Sequence, residues 1–300
     1  MGKTKNYLVF LELLAPWTVF FAIIASLSPF LLLGMFNHPS GDNFCYTNVF
    51  NDSDIDGVLE GVMDWRRRWN GRYFSLFLIG SWFVNLDMIK TYHYVPYVLF
   101  SSWLFSAYYL LRSVLGPTYR FFHIAICAFA LCGLYALTMP LVSNGFYHVT
   151  GAFQYQTGNI LTMLLIGCLV RISSTQNPFS IVVVAALLIF AVVGSTELHM
   201  VCILILITIV TIQSFITTAS SRYYWFFLLV VTLLSVLLLI SAPGIEGRGR
   251  YFLDRHQFWF SFFQSAYHMC IWFLRFPGFP LLSLSWALRC TQNGPDSRHL

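Results

Sequence analysis

Residues 179–217 read FSIVVVAALLIFAVV, then GSTELH, then MVCILILITIVTIQSFIT. Two apolar runs flank the short polar turn Gly194-Ser195-Thr196-Glu197-Leu198-His199. Crossing a bilayer core takes a helix of roughly 20 residues, and about 17 suffice. Each run therefore reads as a membrane span, and Glu197 sits at the lip between them. Working outward, apolar segments recur at 9–35, 73–89, 94–111, 121–142, 153–170, 179–196, 199–217, 223–241 and 257–288. All but the last read as spans. The last is aromatic and broken by Pro277 and Pro280, and reads as a span followed by an interfacial segment. The expected fold is an all-α, polytopic helical bundle of about 8–9 spans. Residues 1–290 form a single transmembrane module and 291–300 a polar tail.

Composition agrees. Hydrophobic residues make up 58% of the 300-residue chain and charged residues 10%, and mean hydropathy is +0.69. A soluble domain carries about a quarter charged residues, and one of this size has too little interior to hide so much apolar side chain. The net charge of +5 is spread in ones and twos, which leaves no footprint for a nucleic-acid partner. Cysteines such as Cys127, Cys132, Cys168, Cys202 and Cys270 lie inside apolar runs without CxxC or Cys/His spacing, against a zinc staple or disulfide scaffold.

Lysines and arginines in short loops set orientation. Lys3 and Lys5 place the N-terminus in the cytoplasm and the 36–72 loop outside. The first apolar run is too long for a signal peptide and lacks a small-residue cleavage site, so it reads as a retained span. Lys90 then falls inside, and Arg171 and Arg222 mark later cytoplasmic ends, with the Glu197 turn and 242–256 outside. The two halves disagree by one crossing. Either a segment between 94 and 158 is re-entrant, or the charge rule misleads in one half.

The 36–72 loop holds six of the twelve acidic residues, Asp42 and Asp64 among them, and the arginines Arg66, Arg67, Arg68 and Arg72. So long a loop in so lipophilic a chain is more than a connector. It opens with Ser40-Gly41-Asp42-Asn43 and closes with Trp65-Arg66-Arg67-Arg68-Trp69-Asn70-Gly71-Arg72-Tyr73. A carboxylate at a span end can act as general base or metal ligand. Arginine beside tryptophan can hold a phosphate head group, or can merely snorkel in an aromatic belt. Asn51-Asp52-Ser53-Asp54-Ile55-Asp56-Gly57 imitates the start of a calcium loop, but Met63 stands where the bidentate glutamate belongs; Asn51-Asp52-Ser53 is also a glycosylation sequon.

Three further clusters carry polar chemistry. Gly145-Phe146-Tyr147-His148-Val149-Thr150-Gly151-Ala152-Phe153-Gln154-Tyr155 offers aromatics for stacking on a sugar, with hydroxyls and an amide for hydrogen bonds. Glu197 is an acid close to lipid, costly unless paired or facing a polar cavity. Pro243-Gly244-Ile245-Glu246-Gly247-Arg248-Gly249-Arg250 sets arginines on a Gly-rich turn suited to phosphate or pyrophosphate. Each also has an ordinary reading as a solvated turn or membrane anchor.

The order of these elements resembles a known family. An acid (Asp42) follows the first span, a W-x-GR-Y/F element (Trp69 to Tyr73) opens the second, and a tGa-x-x-Y element (Thr150 to Tyr155) precedes a middle span. A Gly…Glu turn (Gly194 to Glu197) and a PG-x-x-x-R turn (Pro243 to Arg248) follow later spans. Over most of residues 9–255 this resembles bacterial polytopic proteins of the C-type glycosyltransferase superfold, including O-antigen glucosyltransferase-like families. The resemblance implies a cell-envelope hexosyltransferase that takes sugar from a polyprenyl-phosphate donor on the extracytoplasmic face and passes it to a glycan or lipid-linked acceptor. It implies Asp42 as catalytic base or ligand of a divalent cation, with Glu197 as a second catalytic candidate. Donor and acceptor contacts would come from Trp69, Arg72, Tyr147, His148, Tyr155, Arg248 and Arg250. The chain departs from the family where Asn43 replaces a second acid, where Ile245 ends the PGN turn, and where His148 replaces Trp. Two other classes stay open: a transporter or flippase, which would place charges mid-span at broken helices, and a scaffold without chemistry.

Overall fold

The computed structural model describes residues 2–39, 41–50, 55–85, 87–175, 178–218 and 221–250, together with Phe263, Gln264, Tyr267 and Ile271. The calcium-loop imitation and its sequon at 51–54, most of 257–288 and the 291–300 tail lie outside the described residues. The chain divides into two compact units, Met1–Arg248 and Gly249–Leu300, where the sequence predicts one module.

The protein is all-helical (86% helix), with no strand among the described residues. In chain order the helices are α1 (Gly2–Gly34), α2 (Asp42–Phe50), α3 (Ile55–Arg68), α4 (Tyr73–Asn85) and α5 (Met88–Thr91). The last runs through a 3₁₀ turn, Tyr92–Tyr94, into α6 (Val95–Leu115). Then come α7 (Phe121–Thr138), a π-helical turn Ser143–Tyr147, α8 (Val149–Gly151), a second π-turn Ala152–Gln156 and α9 (Thr157–Ser174). α10 (Phe179–Val193), α11 (Glu197–Ile216), α12 (Arg222–Ile240) and α13 (Gly244–Gly249) complete the order. Pro96 starts α6, its missing N–H costing nothing in a first turn. Thr196 caps α11 by accepting from the His199 amide.

Among the described residues, five helical segments are long and apolar enough to cross a membrane: Ile89–Leu115, Phe121–Thr138, Val149–Ser174, Glu197–Ile216 and Arg222–Ile240. Only 28–39% of each window is buried inside the protein, so their outward apolar faces need lipid, and this is an integral membrane protein. Tyr73–Val84 and Phe179–Val193 are shorter apolar helices, and Phe20–Gly34 is the apolar latter part of α1. Small residues let helices approach: Gly167 of α9 lies under the Tyr109 ring of α6, where a Cβ would come within 2.7 Å. One core gathers Phe50, Leu76, Ile79, Tyr92 and Phe146. A second gathers Leu165, Ile189, Ile207 and Leu228.

The end of α1, the starts of α2, α4, α6 and α9, and the 194–197 turn share one end of the bundle. Asn37 donates to the carbonyls of Tyr92 (3.3 Å) and Tyr147 (2.9 Å). The Tyr92 hydroxyl accepts from Asn43 (2.8 Å) and from the Val149 amide (3.1 Å). At the start of α4, the Phe74 amide donates to Gly194 O (3.0 Å) and the Ser75 hydroxyl to Ser195 O (3.2 Å).

α4 therefore leaves this end beside Gly194 and its chain returns to the same end at Tyr92. Between them α4 packs on α2 and α3, with Gly80 against Phe50 and Val58. This corrects the sequence reading. The sequence predicts 73–89 as a through-going span, whereas Tyr73–Val84 is a shorter apolar helix whose chain starts and returns at one end.

Candidate functional site

At that end four separate stretches enclose a polar cavity of about 310 Å³. α2 contributes Asp42 and Tyr46. The turn between α3 and α4 contributes Trp69, Asn70 and Arg72. The π-helical stretch contributes Asn144, His148, Thr150, Gly151, Gln154 and Tyr155, and α13 contributes Arg248. Two glycines permit the closure. A Cβ on Gly71 would stand 2.1 Å from the Leu239 carbonyl oxygen, and one on Gly244 2.3 Å from the Trp69 amide nitrogen. Backbone cannot yield to either, so only glycine lets the 69–72 turn, the end of α12 and α13 meet.

Arg72 is the centre of the wall. It is buried (8% exposed). Its Nε donates to both Glu197 oxygens (3.1 and 2.9 Å), Nη2 pairs with Oε2 at 2.7 Å, and Nη1 donates to Gln154 Oε1 at 2.7 Å. The Tyr155 ring lies 5.8 Å from its guanidinium carbon. Burial alone would lower the guanidinium's pKa. The hydrogen bonds and charge of Glu197, with Tyr155, more than offset that and hold it above the ordinary arginine value. Arg248 approaches the same carboxylate at 4.0 Å and lies over the Trp69 ring at 5.5 Å. Gln154 also donates to the Tyr46 hydroxyl (3.4 Å), and Tyr46 stacks on Trp65 at 5.0 Å. Burial pushes the Tyr46 phenol up, so it stays protonated near neutrality.

Asp42 stands in the first turn of α2, exposed to the cavity. Gly41 before it has φ +52 and no atom near its absent Cβ. Its contribution is a left-handed turn into the helix, not the close backbone approach its place in sequence suggests. His148 is half-buried; its Nδ1 lies 3.1 Å from Thr150 Oγ1 and accepts from the Gly151 amide (3.3 Å).

Asp42, Trp69, Arg72, His148, Tyr155 and Arg248 are brought to one cavity, and Glu197 is bonded to the Arg72 that lines it and approached by Arg248. Tyr147 is not. Its hydroxyl donates to the Phe30 carbonyl of α1, because the π-turn carries it to the opposite side from His148. Arg250 belongs to the second unit. Glu197, the second catalytic candidate of the sequence, is bonded to Arg72 and approached by Arg248. Asp42 shares the cavity with His148, and no group of three His, Cys, Asp or Glu side chains that could hold a metal ion occurs among the described residues.

The sequence reading missed Tyr46, Asn70, Asn144 and Gln154 as lining residues. Gln154 and Asn70 lay inside the quoted motifs, beside residues chosen for their charge or ring. It also missed the support behind Glu197. His199 joins Thr196 Oγ1 (2.6 Å) to Asn159 Oδ1 (3.1 Å). Asn159 donates to the Tyr135 hydroxyl (3.1 Å), which donates to Gln156 Oε1 (2.8 Å). Asn159 Oδ1 can only accept, so His199 Nε2 carries its hydrogen and Nδ1 receives that of Thr196. Compared with known proteins, the chain matches no family model, no curated protein and no solved structure.

Proposed function

We propose that this chain is a membrane glycosyltransferase of the C-type superfold. It transfers a sugar from a polyprenyl-phosphate donor to a hydroxyl of a glycan or lipid-linked acceptor on the extracytoplasmic face. The observation that carries the reading is the convergence of Asp42, Arg72, His148, Tyr155 and Arg248, from four stretches, on one polar cavity at one end of the bundle. A cavity of about 310 Å³ is of the size class that takes a small ligand. Trp69 and Tyr155 offer rings to a sugar face, Asn70, Asn144 and Gln154 offer amides to its hydroxyls, and the arginines offer charge to a phosphate. A larger apolar groove of about 710 Å³ runs along α4, α6 and α9. Phe153 lines it one residue from Gln154 of the polar cavity, which suits a ligand with a polar head and an isoprenoid tail. Transport would favour charges midway along broken spans, whereas here they gather at one end.

Orientation follows from charge. The far end carries Arg112, Arg120, Arg171 and Arg222, and the sequence holds no acid from 88 to 196. The site end carries Asp42, Asp56, Glu60, Asp64, Asp87 and Glu197 among its cations. We assign the far end, which holds Lys3 and Lys5 before the first span, to the cytoplasm. Counting α1, α6, α7, α9, α10, α11 and α12 as crossings and α4 as re-entrant sets Arg112, Arg120, Arg171 and Arg222 on that side, and leaves Lys90 outside with the arginines of the site.

In the transfer step the acceptor oxygen bonds to the anomeric carbon as the bond from that carbon to the phosphate oxygen breaks. The acceptor's proton passes to Asp42, and the polyprenyl phosphate leaves with the electron pair, its charge met by the arginines. No step is assigned to a divalent cation, because Asp42 is the only carboxylate lining the cavity among the described residues. Asp42→Asn keeps size and hydrogen bonding while removing the base. With the purified chain and a panel of polyprenyl-phosphate hexoses, it should abolish transfer and leave donor binding near wild type. Retained turnover in Asp42→Asn would remove the assignment.

A further inference from the structure

We propose that Glu197 is a built-in counter-anion that the phosphate of an incoming ligand displaces from Arg72 and Arg248. This rests on the phosphate-binding part of the reading above and adds how the site holds its two arginines when no phosphate is present. The carboxylate occupies the Nε–Nη2 edge of Arg72, the bidentate edge that phosphate oxygens match. It also lies at the first turn of α11, where the helix dipole favours an anion. Glu197 thus fills the place a phosphate would take. Both guanidiniums face this one carboxylate, and a phosphate carrying more than one negative charge can meet both of them.

The geometry makes the exchange mechanically possible. Arg72 does not depend on Glu197 for its position: Nη1 is held by Gln154, and its backbone amide by Asn70 Oδ1 at 3.1 Å. The Glu197 side chain is 40% exposed while that of Arg72 is 10%, so the carboxylate has a path toward solvent and the guanidinium stays behind. The α11 cap that precedes Glu197 is fixed by Thr196 and His199 independently of the carboxylate. Departure of the Glu197 head group therefore leaves the helix start intact.

The test is anion affinity of the full chain in detergent, measured by calorimetry with inorganic phosphate and with geranyl phosphate. Glu197→Gln should tighten phosphate binding about tenfold, the worth of one charge-assisted partner no longer competing. Asp42→Asn removes the same charge from the cavity without touching either arginine and should change affinity by no more than about twofold in physiological salt. Glu197→Asp, which keeps the charge on a shorter stem, should fall between wild type and Glu197→Gln and serves where the glutamine variant lowers the melting temperature. Unchanged or weaker binding in both Glu197 variants would make Glu197 a fixed strut and overturn the proposal. An equal gain in Asp42→Asn would reduce it to bulk charge and overturn it as well. Tightening toward both probes, or toward geranyl phosphate alone, supports displacement by a lipid phosphate; tightening toward inorganic phosphate alone supports displacement by a free anion. Tightening without any sugar transfer by the wild type would keep the exchange and discard the transferase reading.

Discussion

Two helices in this protein look alike in sequence and behave differently in space. α4 (Tyr73–Asn85) and α10 (Phe179–Val193) are both apolar and both short, 13 and 15 residues. α10 runs from the end of α9 to Gly194 beside Arg72, buried on Val182, Ala185, Ile189 and Val192, and so joins the two ends of the bundle. α4 starts beside Gly194, lies on α2 and α3 through Leu76, Ile79 and Gly80, and its chain comes back to Tyr92. Hydropathy is blind to this difference. What decides it is the partner: α10 finds long helices on its sides, while α4 finds two short polar-faced helices that are themselves tied to the site end.

The strongest way to break the comparison is topological. In a background with all seven cysteines replaced by serine, Lys90→Cys follows α4 and Thr175→Cys precedes α10; both positions are exposed. An impermeant maleimide added to intact cells should modify Lys90→Cys and spare Thr175→Cys until the membrane is opened. The expected contrast is all or none. If both stay unmodified in intact cells, α4 crosses and its resemblance to α10 is complete.

The same contrast locates what was legible in the sequence. Asp42, Arg72 and Arg248 could each be flagged because it stands beside a glycine or an aromatic at a span end, but only the family resemblance set them in one site. The crossings at 121–138, 197–216 and 222–240 were equally plain, since a long apolar run has few other solutions. The return of α4 was not legible, because Lys90 carries the same charge on either face and the bonds that decide the matter, Asn37 and Asn43 to Tyr92, join residues far apart in the chain. Tyr147 and Tyr155 were indistinguishable for a related reason: which ring faces the cavity depends on the π-helical winding of 143–156, and a spacing rule written for 3.6 residues per turn misplaces one of them. Glu197 could be flagged as costly near lipid, but its partners were beyond reach, since Arg72 is 125 residues away in sequence.

A smaller effect is expected where the two helices touch. A Cβ on Gly194, at the end of α10, would stand 2.2 Å from a ring carbon of Tyr73, the first residue of α4. The Tyr73 ring cannot swing aside freely, because its hydroxyl is held by the Phe190 carbonyl at 2.9 Å. Gly194→Ala should therefore cost about 1–3 kcal/mol, the range for overpacking a filled site. Gly133→Ala in α7, whose Cβ would meet only ordinary contacts from 3.6 Å outward, should be neutral or stabilising by up to about 1 kcal/mol through helix propensity. Thermal unfolding of both variants in one detergent checks the difference. Equal melting temperatures would show that the α4–α10 contact is loose.

The smallest effect sharpens what that contact does. Tyr73→Phe removes only the hydroxyl that donates to Phe190 O. The carbonyl keeps a second donor, the Gly194 amide at 3.1 Å, so no buried acceptor is orphaned. The ring keeps its place against the Phe190 ring, with centroids 4.7 Å apart. What is lost is the bond to Phe190 O and the hydroxyl's contact with Ser235, about 1–2 kcal/mol together, read as a fall of a few degrees in melting temperature. The fold-back itself should persist, because the Phe74 amide and the Ser75 hydroxyl still bond to the carbonyls of Gly194 and Ser195. In the Tyr73→Phe background, Lys90→Cys should accordingly stay open to the impermeant maleimide on intact cells. Protection of Lys90→Cys there would mean that one phenol hydroxyl decides whether α4 returns or crosses, and that the two helices differ by a single bond and not by the set of partners around them.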